Sequence, residues 1–366
     1  MDWPHDIPDG AQSPARRAPG RGAALNMTGR HERHTRTDIA DGWDMPEDTG
    51  PLCTEVRTER PRSVIARNTS PDIPFDRSLN PYRGCEHGCV YCYARPGHAH
   101  LGLSPGLDFE SRLIARPDAA QVLARELRAP RYRPAPLCLG SATDPYQPLE
   151  ARLRITRSVL ETLAEFRHPV SIQTRGTLIE RDLDILGPMA TQGLAQVGVS
   201  LTTLDPGLSR RLEPRAPAPV RRLAMIAALA AAGVPVRVMV SPVVPGLTDH
   251  EVEPLLHAAA DAGARAASWV LLRLPHEVAP LFEDWLERHA PARKAKVLRR
   301  LREAHGGALY LSDFGQRMRG QGVMAALLAQ RFRAVARRLC LDRGLPPLDC
   351  SRFTPPPQPG DQLSLF

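Results

Sequence analysis

The sequence predicts an α/β protein: a partial, open TIM-like barrel of six β-α units, followed by a basic helical C-terminal extension. The first observation is an alternation that begins near Pro71, where short apolar runs bounded by turn residues are followed by amphipathic segments rich in Ala, Leu and Arg. This alternation is typical of β-α units that build a parallel sheet. The second observation is the number of units, because six units in about 200 residues are too few for the eight of a closed barrel. The 366 residues are enough to bury such a core without disulfide bonds.

Most of the predicted strands are short runs of Val, Leu or Ile between turn residues. We expect six strands, at residues 79–83, 137–139, 170–173, 196–201, 236–240 and 269–272. Helices fill the gaps, at residues 119–127, 157–165, 181–189, 219–232 and 251–262. Pro219 begins the fourth helix and Gly233 follows its end, which is the usual placement of Pro and Gly at helix termini. In such a fold the functional side chains lie in the loops at the carboxyl ends of the strands.

The extension carries a concentrated positive charge on two predicted helices, at residues 292–305 and 323–342. Residues 288–343 contain 14 Arg and Lys against three acidic residues, a net charge of +11 that exceeds the +8 of the whole chain. A basic segment of this kind is expected in a protein that meets phosphate backbones, so residues 288–343 predict a DNA partner. A solvated, Arg-rich helical surface is the alternative.

Composition also predicts how the chain is organised. We expect residues 1–55 to form a disordered basic arm, residues 60–290 the barrel, residues 291–345 the extension and residues 346–366 a flexible tail. The Gly-Arg-Gly-Ala piece at residues 20–23 could be part of the basic arm or a plain linker. No run approaches the roughly 18 apolar residues of a membrane span, and the N-terminus lacks the apolar region of a secretory signal. The expectation is therefore a soluble, cytoplasmic protein without a membrane partner.

The seven cysteines are an odd number without an export signal, so metal or redox chemistry is expected rather than a disulfide framework. Three of them form a C-x3-C-x2-C pattern, Cys85, Cys89 and Cys92, directly after the first predicted strand. Three thiolates on a loop freed by Gly84 and Gly88 can hold three corners of a [4Fe-4S] cluster and leave one iron open for a small ligand. The alternative is a tetrahedral zinc site, which needs a fourth ligand. Three nearby histidines could supply it: His87, His98 and His100.

The cysteine pattern resembles the signature of the radical S-adenosylmethionine (SAM) superfamily, C-x3-C-x-aromatic-C on the first loop of a partial barrel, with Tyr91 in the aromatic place. The resemblance implies that Cys85, Cys89 and Cys92 ligate a [4Fe-4S] cluster whose open iron chelates the amine and carboxylate of S-adenosyl-L-methionine. It further implies an external electron donor and reductive cleavage to a 5′-deoxyadenosyl radical that takes hydrogen from a substrate.

The same resemblance places cofactor contacts at later strand ends. It implies polar contacts to the cofactor amine after the second strand, a cation for its carboxylate after the third, and ribose contacts on the fourth. Taken singly, each of these residues is more typical of a turn or a helix cap than of a ligand site. The candidate cofactor-binding residues are Tyr91, Ser141, Thr143, Asp144, Arg175, Ser200 and Thr202.

Three phrases, at residues 80–85, 142–148 and 212–217, are similar to the spore photoproduct lyase-like, or DNA repair photolyase, branch of that superfamily. The similarity covers about residues 60–350 and implies lyase-type chemistry on a DNA lesion. True spore photoproduct lyases use a cysteine near the end of the second strand as hydrogen donor. Here Cys138 lies within that strand and the end positions hold Ser141 and Ala142. Cys138 is therefore either a candidate hydrogen donor or a small apolar core residue.

The C-terminal residues Gln362, Leu363, Ser364, Leu365 and Phe366 resemble the pentapeptide with which bacterial DNA polymerases and repair proteins bind the sliding clamp. Gln362, Leu363, Leu365 and Phe366 would be the contacts, because a flexible linker can present three apolar anchors and one polar group to a groove. Three functions stay open: a radical SAM enzyme on a DNA base or lesion, a radical SAM enzyme on a protein or small molecule, and a non-catalytic iron-sulfur or zinc DNA-binding module.

Overall fold

The computed structural model describes residues 20–32 and 52–358. The strands are β1 (Glu55–Thr58), β2 (Ala66–Arg67), β3 (Arg77–Leu79), β4 (Tyr82–Arg83), β5 (Arg112–Ala115), β6 (Leu137–Leu139), β7 (Val170–Thr174), β8 (Ala195–Ser200), β9 (Val236–Val243) and β10 (Ala266–Leu271). The α-helices are α1 (Asp108–Ser111), α2 (Ala119–Leu127), α3 (Glu150–Leu153), α4 (Ile155–Glu165), α5 (Leu183–Thr191), α6 (Pro206–Leu212), α7 (Pro219–Ala231), α8 (Val252–Asp261), α9 (Val278–His289), α10 (Pro291–Ala304) and α11 (Gly322–Arg338). Short 3-10 helices occupy Arg95–Leu101, Thr177–Asp182 and Asp249–Glu251.

A seven-stranded sheet in the order β10-β9-β8-β7-β6-β3-β2 forms the core. All of its neighbouring strands are parallel except β2, which pairs antiparallel with β3. Along β9, Val236, Val238 and Val240 are buried and alternate with less buried residues, as expected of a strand with one face against a helical layer. The sheet ends at β2 and β10 without closing, so the prediction of an open α/β barrel is confirmed.

The predicted first strand was wrong in its extent. Residues 77–79 form β3 in the barrel sheet, whereas residues 82–83 form β4 in a separate three-stranded sheet with the order β1-β5-β4. Pro81 lies between the two strands and has no N–H to donate to a ladder, which explains the break. The other five strands lie within three residues of their predicted ends. Helix α7 begins at Pro219 and is followed by Gly233 with a φ of +77°, as the sequence predicted.

The two predicted helices of the extension correspond to α10 and α11. Helix α9, which precedes them, was not predicted. Val297 and Leu301 of α10 join Trp285 of α9 and Cys89 and Tyr91 of the cysteine loop in one buried apolar cluster. The helices after the barrel therefore support the loop that carries the cysteines.

Both predicted flexible ends are ordered where the structure describes them. Ala23 and Ala24 are buried, so residues 20–32 are not a free arm. Near the other end, the Asp349 N–H donates to the carbonyl oxygen of Gly193 at 2.9 Å, and the Phe353 ring lies against Phe166. Composition predicted disorder in both segments because it carries no information about contacts with residues that are distant in the sequence. The clamp-binding-like residues 362–366 lie outside the described residues, and the domain boundaries stay predictions.

Within residues 20–32 and 52–358, no helix is long and apolar enough to cross a lipid bilayer.

Candidate functional site

The cysteine loop, defined here as residues 84–94, meets the loop that follows β6. Asn80 makes the junction: its Nδ2 donates to the Ser141 Oγ at 2.9 Å, and its Oδ1 accepts the N–H groups of Ala142 and Thr143 at 2.9 and 3.3 Å. The Thr143 hydroxyl donates to the Tyr82 carbonyl oxygen at 3.1 Å. Ser141 and Thr143 are therefore both at the mouth of the barrel, with their hydroxyls engaged with the segment that leads into the cysteines.

All three cysteines of the motif are free thiols, with Cys85 and Cys89 buried and Cys92 half-buried. Gly88 between them has a φ of +69°, a left-handed conformation that side chains rarely adopt. Burial raises the pKa of Cys89 to about 12, although the nearby Arg175 lowers it in part. Such a thiol becomes a thiolate only when a metal displaces its proton. The donor set fits a cluster bound by three thiolates, and no further protein ligand is needed for a [4Fe-4S] cluster with an open iron.

Each of the three histidines that could complete a zinc site contacts another group. His87 Nδ1 lies 3.4 Å from Asp144 Oδ2, His98 Nε2 lies 3.0 Å from the Arg112 carbonyl oxygen, and the His100 ring stands 4.4 Å from that of His31. In the part of the chain that the structure describes, no three His, Cys, Asp or Glu side chains converge as one metal ion requires. A cubane cluster spreads its cysteines over different irons and does not need that convergence.

Arg175, directly after β7, reaches into the cysteine loop. Its Nη1 lies 2.8 Å from the Cys89 Sγ, 2.9 Å from the Tyr91 hydroxyl and 2.8 Å from Glu213 Oε1. Tyr91 also donates to Glu213 Oε1, and its hydroxyl lies 3.1 Å from that of Thr202. The structure thus brings three predicted cofactor-binding residues, Tyr91, Arg175 and Thr202, into one contact group beside a motif cysteine.

Glu213 organises that group and was missed as a functional residue. Its Oε1 also accepts from the Thr202 hydroxyl at 2.9 Å, and its Oε2 pairs with Arg222. Burial alone would raise the pKa of this carboxyl, but Arg222 and Arg175 outweigh burial and lower it to about 2. A buried carboxylate between two arginines keeps its charge at any physiological pH and fixes the position of Arg175. The only signal in the sequence was an acidic residue in the phrase at residues 212–217.

Asp144 has a positioning role rather than a free carboxylate. It accepts from the Thr174 hydroxyl at 2.6 Å, the Arg175 N–H at 2.8 Å and the Tyr146 N–H at 2.9 Å. Burial raises its pKa, but His87 and these donors outweigh burial and lower it to about 2. Its side chain therefore joins the loop after β6 to the end of β7 and holds the backbone of Arg175.

Two further predicted residues lie on the strands themselves. Ser200 ends β8, and its carbonyl oxygen accepts from Arg222 at 3.2 Å. Cys138 is fully buried within β6, opposite Ser78 and Ser171, and burial raises its pKa to about 12. These are the surroundings of a small core residue. Its role as a hydrogen donor stays a prediction.

A second residue that sequence reasoning missed is Tyr93, which directly follows the last motif cysteine. Its hydroxyl donates to the Ser141 carbonyl oxygen, and the Arg273 guanidinium lies 4.5 Å from the centre of its ring. Arg273 follows β10, so this contact joins the loops of the first, second and last barrel strands. The doublet Cys92-Tyr93 was the available signal.

The comparisons with known proteins concern the family and the fold of the chain. Residues 79–259 match a family model described as the radical SAM superfamily. An uncharacterized protein of Mycobacterium tuberculosis is 40% identical over 241 residues, which span 65% of this chain and 70% of the relative. An uncharacterized protein of Methanocaldococcus jannaschii is 24% identical over 173 residues, 47% of this chain and 62% of the relative.

Among solved structures, spore photoproduct lyase complexed with dinucleoside spore photoproduct aligns with a TM-score of 0.54 and 14% identity over 78% of this chain and 79% of that one. A variant of the same enzyme with bound AdoMet and dinucleoside spore photoproduct aligns with a TM-score of 0.53 and 14% identity, covering 78% of each chain. At this identity the similarity establishes the fold. The family match and the cysteine loop identify the chain as a member of the radical SAM superfamily, whose enzymes use a [4Fe-4S] cluster and S-adenosyl-L-methionine.

Proposed function

We propose that this radical SAM enzyme binds its [4Fe-4S] cluster through Cys85, Cys89 and Cys92 and acts on a DNA base or lesion, with lyase-type chemistry. The observation that carries the proposal is the set of three thiols in one loop at the barrel mouth, with Arg175 2.8 Å from the middle sulfur. When bound, the reduced cluster and S-adenosyl-L-methionine supply a 5′-deoxyadenosyl radical that abstracts hydrogen from substrate.

The residues of the mouth have distinct roles in this proposal. Arg175 supplies a fixed positive charge for the cofactor carboxylate; Glu213 pairs with its guanidinium, and Asp144 accepts from its backbone N–H. Ser200 and Thr202 present polar groups for the ribose, and Ser141 and Thr143 for the amine. Tyr93 and Arg273 flank one side of the mouth, where the Arg273 guanidinium lies against the Tyr93 ring.

The proposal of a DNA substrate is supported by the fold shared with spore photoproduct lyase, which is seen complexed with dinucleoside spore photoproduct. The basic extension supports it less strongly than its net charge of +11 suggested. Many of its cations pair with carboxylates outside the segment, for example Arg300 with Asp249 and Arg331 with Glu253. Several exposed arginines have no carboxylate partner among the described residues and remain available to phosphates: Arg293, Arg302, Arg333 and Arg343.

Recruitment by the sliding clamp through Gln362, Leu363, Leu365 and Phe366 is part of the same proposal. It rests on the sequence pattern alone. Binding of the full-length protein to a purified clamp, compared with a Leu365→Ala/Phe366→Ala variant, tests it, because these two side chains would be the main apolar anchors. Equal binding by both proteins would exclude the peptide as the contact.

The decisive experiment uses anaerobically reconstituted protein with reductant and S-adenosyl-L-methionine. We expect 5′-deoxyadenosine from the wild type and none from Cys89→Ala, and we expect DNA that contains base lesions to accelerate its formation. Acceleration by peptides or small metabolites instead of DNA would indicate a radical SAM enzyme that acts on a protein or small molecule. An intact cluster that yields no 5′-deoxyadenosine, with or without damaged DNA, would favour a non-catalytic DNA-binding module.

A further inference from the structure

The described N-terminal segment, residues 20–32, packs directly on the cysteine loop; we call it the N-terminal strap. A Cβ atom built on Gly22 would overlap the carbonyl oxygen of Gly88, so only glycine allows the two backbones to approach this closely. A Cβ on Gly106 would likewise overlap the carbonyl oxygen of Leu25. The strap is therefore fitted to the backbone of the cysteine loop at Gly88 and to the backbone at Gly106, which follows the loop.

Below the contact lies a fully buried ion pair, Arg95 with Glu110. The Glu110 carboxylate accepts the N–H groups of Gly22 and Ala23, each at 2.9 Å. A buried pair of charges is tolerated when its remaining hydrogen-bonding positions are filled, and here the strap backbone fills those of the carboxylate. The backbone of the strap thus donates two hydrogen bonds to the buried Glu110 carboxylate.

Arg95 connects Glu110 to the backbone of the cysteine loop. Its Nε donates to the carbonyl oxygen of Cys89 at 2.9 Å, and its Nη1 donates to those of Pro105 and Gly106 at 3.1 and 2.8 Å. The planar guanidinium therefore fixes the main chain of one motif cysteine and of the segment on which the strap lies. A lysine has the charge but not the forked set of donors for three carbonyl oxygens and a carboxylate.

Arg21 anchors the beginning of the strap. Its guanidinium donates to the Glu110 carbonyl oxygen at 2.7 Å and to the Thr54 hydroxyl at 3.0 Å. Thr54 in turn donates to the Glu86 carboxylate at 2.7 Å, inside the cysteine loop. A second chain of hydrogen bonds thus runs from the strap to the loop, separate from the one through Arg95.

We propose that the N-terminal strap, acting through Glu110 and Arg95, holds the cysteine loop in the conformation that retains the cluster, with Arg95 as the positioning residue for Cys89. This inference rests on the proposed role of Cys85, Cys89 and Cys92 as cluster ligands. The strap is then an integral part of the cluster-binding site, although it lies more than fifty residues before the first ligand in the chain.

The test compares two glycine variants of the full-length protein. Gly22→Ala places a methyl group against the Gly88 carbonyl, whereas Gly97→Ala, its matched control near the cysteine loop, meets open space. After anaerobic reconstitution, iron and sulfide are quantified, and the loss of cluster absorbance is followed in the presence of an iron chelator. We expect Gly22→Ala to lose its cluster about tenfold faster than the wild type. Gly97→Ala should match the wild type, and circular dichroism should show all three folded.

Two further variants keep the inference testable if Gly22→Ala does not fold. Arg95→Lys should change the electron paramagnetic resonance spectrum of the reduced cluster, and Arg21→Met, at a partly exposed position, should accelerate cluster loss. Folded variants that retain the cluster for as long as the wild type, with unchanged spectra, would overturn the inference. A wild-type protein that binds no iron would instead overturn the proposed function, so the two failures are distinguishable.

Discussion

Replacing Glu213 by Gln removes the charge that holds Arg175 and Arg222 together. The pKa of this carboxyl is about 2 in the folded protein against an ordinary value of 4.5. At about 1.4 kcal/mol per pKa unit, the ionised carboxylate stabilises the fold by about 3 kcal/mol. We therefore expect Glu213→Gln to lose about 3 kcal/mol at pH 7, which for a domain of about 200 residues lowers the melting temperature by about 6–12 °C.

The pH dependence identifies the cause. A carboxyl whose pKa is lowered by folding stabilises the protein above its ordinary pKa and loses that contribution as the pH falls through 4.5 towards 2. The difference between wild type and variant should accordingly be full at pH 7 and shrink below pH 4.5. Differential scanning calorimetry of the cluster-free proteins measures it. Glu180→Gln is the control, because Glu180 pairs with Arg221 at the surface, 3.3 Å away, and should cost less than about 1 kcal/mol. A Glu213→Gln variant as stable as this control at pH 7 would refute the reasoning.

Three other predictions follow from the site and its surroundings. Arg175→Met should leave the iron content unchanged and weaken S-adenosyl-L-methionine binding by roughly 10- to 100-fold, because one charged hydrogen bond is worth about 1.5–3 kcal/mol. Titration calorimetry measures the affinity, and an unchanged affinity would contradict the proposed role of Arg175. Arg333→Gln should reduce the slope of log affinity for DNA against log salt concentration by about one. Arg299→Gln should change the slope less, because Arg299 is already paired with Glu303. Equal slopes for the wild type and both variants would argue against the extension as part of the DNA interface. Cys138→Ala should form 5′-deoxyadenosine and product at rates within about twofold of the wild type if this buried residue belongs to the core; product loss with normal 5′-deoxyadenosine formation would identify it as the hydrogen donor.

The barrel could be predicted from the sequence because its signals are local. Most of its strands are short and rich in apolar residues, and the limits of α7 are marked by Pro219 and Gly233. The three motif cysteines could also be recognised from the sequence, because they lie within eight consecutive residues. The structure adds elements that these signals did not predict, among them α9 and the split of the first predicted strand at Pro81 between two sheets.

The two buried glutamates could not be predicted because their partners are distant in sequence. Glu110 meets Gly22 across 88 residues, and Glu213 meets Tyr91 across 122. Neither carboxylate stands in a local pattern that distinguishes it from a surface acid. Gly22 was similarly ambiguous, because a glycine in a segment rich in Gly and Pro is as typical of a linker as of a close backbone approach.

Both networks contact Cys89, each at a different atom. Arg175 contacts its sulfur and is held by Glu213, whereas Arg95 contacts its carbonyl oxygen and is held by Glu110. Because the two arginines touch different atoms of one residue, their loss should have different consequences. Under the proposed function the sulfur-side arginine meets the cofactor carboxylate, so its removal should affect S-adenosyl-L-methionine binding with the cluster retained. The carbonyl-side arginine is fully buried under the loop, so its removal should shorten the lifetime of the cluster before any cofactor binds. Variants of Arg175 and of Arg95 can therefore test cofactor binding and cluster retention separately, although both arginines contact Cys89.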